Sequence, residues 1–85
     1  MPNRETLETI ARSRTVSAEL VLTNLAELRA YPYRHLAIAA RRGVGQEPVT
    51  YAMMAAETLA PYGWELLNVA EFGSSRVVYA FLRRR

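Results

Sequence analysis

Eighty-five residues allow one small domain, near the size at which a single hydrophobic core is only just sufficient. All eleven basic residues are arginine and all eight acidic ones are glutamate. With no Cys, Lys or Asp, the chain has no disulfide, thiolate metal site, Schiff-base lysine or aspartate nucleophile.

The net charge of +3 is unevenly placed. Residues 1–30 hold four Arg and four Glu, whereas residues 31–85 hold seven Arg and four Glu, with Arg83, Arg84 and Arg85 at the end. A basic patch suits nucleic acid or an anionic surface, and short arginine tails also serve as solubilising ends. No apolar run approaches the roughly 18 residues of a membrane span. The opening Met-Pro-Asn-Arg-Glu lacks the basic start and apolar stretch of a signal peptide. These readings predict a cytoplasmic chain with no membrane partner.

From Asn3 to about Ala30, Leu7, Ile10, Ala11, Ala18, Val21, Leu22, Leu25 and Leu28 recur at helical spacing. Asn3 is the expected N-cap, with Glu5 in the first turn. The polar, β-branched stretch Ser13-Arg14-Thr15-Val16-Ser17 predicts a kink or a boundary between two shorter helices. Tyr31-Pro32 ends the element, because proline disfavours helical geometry in the residue before it.

Tyr33 to Arg41 reads as a first strand, followed by a turn at Arg42-Gly43-Val44-Gly45-Gln46. Gly43-Val44-Gly45 is too short for a dinucleotide fingerprint and no phosphate-loop Lys follows, so both glycines are turn residues. Pro48 suits a first helical turn. Val49, Ala52, Met53, Ala56 and Leu59 then form the expected buried stripe of a helix ending near Ala60, where Pro61 and Gly63 stop it. Met53 and Met54 are adjacent, so only one can join that stripe.

Trp64 to Phe72 reads as a second strand and Arg76 to Leu82 as a third, with a tight turn at Gly73-Ser74-Ser75. So short a turn implies an antiparallel hairpin. A helical crossover makes the first strand parallel to the second. Placing the third strand between them makes every neighbouring pair antiparallel. The expected fold is α+β: one domain over 1–85, with an N-terminal helical segment at 3–30, broken or not near Ser13–Ser17. A β-α-β-β unit at 33–85 follows, its three-stranded sheet mainly antiparallel.

The Gly63-Trp64-Glu65-Leu66 junction, Val69 and the terminal Tyr79-Ala80-Phe81-Leu82-Arg83 carry a resemblance. From about Tyr33 to Arg83 the chain resembles the small bacterial family catalogued as domain of unknown function 4177. The resemblance implies strand, helix, junction and hairpin, with no assigned chemistry. The chain departs from that pattern in its thirty preceding helical residues and in Pro61-Tyr62 before the glycine.

Trp64 is read as a plug between helix and sheet rather than a stacking ligand group. His35, the only histidine, has no Ser, Cys or Asp motif beside it and is read as structural or solvent-facing. No catalytic, cofactor or metal residue is assigned, and the chain is read as non-enzymatic.

Both sheet faces are expected to be apolar: Val77, Tyr79 and Phe81 against Val78, Ala80 and Leu82 in the last strand, and Trp64, Leu66, Ala70 and Phe72 against Leu67 and Val69 in the second. One crossover helix covers one face, so the N-terminal helix or a second chain must cover the other. An unbroken 27-residue helix, about 40 Å long, would overhang the domain. Self-association through Leu7, Ile10, Val21, Leu25 and Leu28 is therefore predicted, giving a homo-oligomeric binding or regulatory module. The alternative is a single-stranded nucleic-acid binder using Arg76, Tyr79, Phe81, Arg83, Arg84 and Arg85, with aromatics on a strand face amid arginines.

Overall fold

The computed structural model describes residues 6–23, 28–41, 47–71 and 76–85. Helix α1, Leu7–Ser13, begins at a reciprocal cap on Thr6; the expected cap, Asn3, lies outside the described residues. The Thr6 hydroxyl accepts the Thr9 N–H at 3.3 Å, and the Thr9 hydroxyl accepts the Thr6 N–H at 2.9 Å. Two otherwise orphaned donors are thereby satisfied.

The predicted break near Ser13–Ser17 is present, and it contains a strand. Arg14 turns left-handed (φ 59°, ψ 25°) and donates its N–H to the Ile10 carbonyl. The β-branched Thr15 and Val16 then run as strand β1, Thr15–Ser17, where their stiff side chains fit better than in a helix. Ser17 caps helix α2, Ala18–Thr23, its hydroxyl accepting the Leu20 N–H at 3.1 Å.

Strand β2, His35–Ala40, leads to helix α3, Pro48–Leu59, which opens on proline and closes in a 3-10 turn at Ala60–Tyr62. Gly63 follows at φ 95°, a left-handed cap that a side chain would strain. Strands β3, Trp64–Glu71, and β4, Val78–Arg84, complete the fold. The sheet order is β1-β2-β4-β3, so the last strand lies between β2 and β3 and is antiparallel to both, as expected. The expected three strands become four, because β1 pairs in parallel with β2. Three residues inside a helix-like run carry too short a pattern to signal a strand without its partner.

Helix α3 buries Ala52, Ala55, Ala56 and Leu59, while Val49 and Met53 of the predicted stripe are exposed. Met53 lies about 100° around the helix from Ala52, beyond the arc that faces both the sheet and α2. The three alanines let α3 seat closely on each. Leu36, Ile38, Ala40, Val78, Ala80, Leu82 and Val16 form the matching side of the core.

The described residues of the N-terminal segment join this same core. Ile10, Val21 and Leu28 are 1%, 0% and 4% exposed, and Leu7 packs partly buried against them. Ile10, Val21 and Leu28, expected to mediate self-association, thus turn their apolar surface inward, and Leu7 does so in part; Leu25 lies outside the described residues. Among the described residues, no helix is long and apolar enough to cross a membrane.

Candidate functional site

The second face of the sheet is set by register. Ala37 and Ala39 of β2 lie opposite Phe81 and Tyr79 of β4, which in turn oppose Asn68 and Ala70 of β3. A bulge between Leu66 and Asn68 inserts one extra residue, so the expected alternation reverses beyond it. Ala70 accordingly shares a face with Tyr79 instead of with Trp64, and Val69 turns to the core. Strict two-residue periodicity cannot foresee such a slip.

The half-buried Tyr79 and Phe81 rings stack with centroids 6.2 Å apart and planes 17° from parallel. They form a ridge along β4, and Ala37, Ala39 and Ala70 leave shallow furrows on either side. At one end of this face Arg83 donates to the Glu65 carboxylate at 2.8 Å. That bond, with the arginine charge and a smaller contribution from Arg85, holds the Glu65 carboxyl below its ordinary pKa. His35, opposite Arg83 in the ladder, is exposed.

Not all six residues of the predicted nucleic-acid set meet here. Tyr79, Phe81 and Arg83 share the face away from α2 and α3, while Arg76, exposed and at φ 60°, precedes the far end of β4. Arg85 is exposed beyond the strand. Arg84 points to the helical side, where its guanidinium lies 4.6 Å from the centre of the Trp64 ring. Strand alternation forces this split: Arg83 and Arg84 are neighbours in sequence and so occupy opposite faces.

On that helical side the structure adds a group that sequence reasoning missed. Trp64 is 4% exposed, a core aromatic as expected, and its ring tilts against Tyr31 at 5.9 Å. Tyr31 meets Tyr33 edge-on at 5.7 Å, and Arg14 stands 3.8 Å over the Tyr33 ring. The Tyr31 hydroxyl donates to the His35 carbonyl at 2.6 Å, and its carbonyl accepts from Arg84 at 2.7 Å. Burial raises the Tyr31 pKa, with Arg14 and Arg84 opposing the shift. Aromatics on both sides of Pro32 were the available sequence signal, though they read only as a helix stop.

Among the described residues, no group of three or more His and Glu side chains could hold a metal ion. Comparison with known proteins found no matching family model, curated protein or solved structure.

Proposed function

We propose that the chain is a non-enzymatic cytoplasmic module that self-associates through the sheet face lying away from α2 and α3. Ile10, Val21 and Leu28 are buried in the core and offer no surface to this contact. One observation carries the reading: the Tyr79–Phe81 ridge and its alanine furrows lie on the side away from α2 and α3. A ridge flanked by furrows fits a second copy related by a twofold axis, since each ridge can enter the other's furrow. Aromatic side chains supply large contact area at small conformational cost.

Light scattering at tens of micromolar tests this directly. The expected mass is twice the 9.6 kDa of one chain, returning to the single-chain value in Phe81→Glu. A wild-type mass of one chain would end the proposal.

Single-stranded nucleic acid is the second reading, supported by the stacked rings near Arg76, Arg83 and Arg85. The Arg83–Glu65 pair and the turning away of Arg84 both weaken it. It requires salt-sensitive binding of a labelled oligonucleotide that is lost with Arg76→Gln and Arg85→Gln together.

A further inference from the structure

A pocket of about 370 Å³ opens where the end of α3 meets the ends of the hairpin strands, lined by Leu28, Arg29, Leu59, Tyr62, Trp64 and Arg84. Leu28, Leu59 and Trp64 are buried and make an apolar floor, while Tyr62, 59% exposed, stands at the rim. Two guanidiniums border this floor and none of these residues is a carboxylate. Arg29 is exposed and makes no ion pair with any described residue.

Arg84 is held in place before any ligand arrives. One of its amino groups donates to the Tyr31 carbonyl, and its central carbon lies over the Trp64 ring. A guanidinium carries five N–H donors, so donors remain beyond the one that Tyr31 accepts. A half-buried cation without a carboxylate partner favours an anion beside it. Because the guanidinium is already positioned, little ordering is left to oppose binding.

We propose that this pocket binds a small apolar carboxylic acid, an aromatic or branched-chain monoanion. Its carboxylate would sit between Arg29 and Arg84, and its body on Leu28, Leu59 and Trp64. The volume lies at the small end of ligand pockets, which excludes large cofactors. A carboxylate's two oxygens can accept from both guanidiniums at once. Planar guanidiniums match a carboxylate's two oxygens in particular. The site lies on the opposite side of the sheet from Tyr79 and Phe81, so it does not depend on self-association.

Trp64 is the only tryptophan, so its fluorescence reports this pocket alone. Phenylacetate is the probe and phenylacetamide its uncharged control. Saturable change is expected with phenylacetate, about tenfold tighter than with the amide, because charge-assisted hydrogen bonds are the stronger kind. Arg29→Gln should weaken the acid severalfold and narrow its advantage over the amide, while leaving the circular dichroism spectrum and melting temperature unchanged. Phe81→Glu should bind phenylacetate as the wild type does. No saturable change up to the acid's solubility limit, equal affinity for acid and amide, or indifference to Arg29→Gln would each overturn the proposal.

Discussion

Arg84 and Trp64 face each other across neighbouring strands, the guanidinium lying 4.6 Å from the ring centre. Because the same guanidinium donates to the Tyr31 carbonyl, it ties the Tyr31 segment to both strands of the hairpin.

Replacing Arg84 should therefore affect more than charge. Arg84→Ala is expected to destabilise the fold by about 2 kcal/mol, combining a partly desolvated cation–aromatic contact with a charged hydrogen bond. Arg84→Lys should cost about half as much, keeping the charge but losing the planar fork. Urea denaturation gives the measurement: the midpoint should fall while the slope stays constant.

Tyr31 sets an alkaline limit. Its folded pKa is raised chiefly by burial, so the unfolded chain ionises first as pH rises. The contribution is fully present below the unfolded value near 10 and is lost as pH climbs through the folded value. Tyr31→Phe removes the hydroxyl's bond to the His35 carbonyl and should cost about 1 kcal/mol at neutral pH. Above pH 10 its stability should decline less steeply than the wild type's. Parallel slopes would exclude Tyr31 as a source of the decline.

At Arg14, backbone and side chain pull in opposite directions. The left-handed φ of 59° would suit glycine, which relieves about 1 kcal/mol, whereas the contact with Tyr33 contributes about 0.5–1 kcal/mol. Arg14→Gly should thus be nearly neutral in the wild type. In a Tyr33→Leu background the same change should stabilise by about 1 kcal/mol. A double-mutant cycle measures the difference, and additivity would show that the two side chains do not interact.

The Glu65–Arg83 pair acts at the acid end. The folded Glu65 pKa lies below its ordinary 4.5. Its contribution is present above that value and disappears as pH falls through the folded one. Both side chains are nearly half exposed, so the effect is small. Titration of the Glu65 carboxyl by NMR should show the depressed midpoint, which Arg83→Gln should restore toward 4.5.

The β-α-β-β order, the central last strand and the buried Trp64 were all legible because each rests on a local signal: Pro48 opening a helix, Gly63 closing one, alternation in Val78–Leu82. Four features lay beyond that kind of signal. β1 exists only through its pairing with β2, and the bulge at Leu67 depends on β4. Whether Ile10, Val21 and Leu28 face inward or a partner is decided by where α2 docks. The arginines of the last strand read as one basic cluster until alternation sends Arg84 to the aromatic core and Arg83 to Glu65.

The sheet's two rims are unequal. β1 offers three residues with α1 and α2 directly on either side, whereas β3 offers eight, with Leu66 and Leu67 exposed. Endless ribbon growth requires a competent rim at each end of every unit. Among the described residues only the β3 rim is long, so any lateral joining through it would stop at a pair instead of extending into a ribbon.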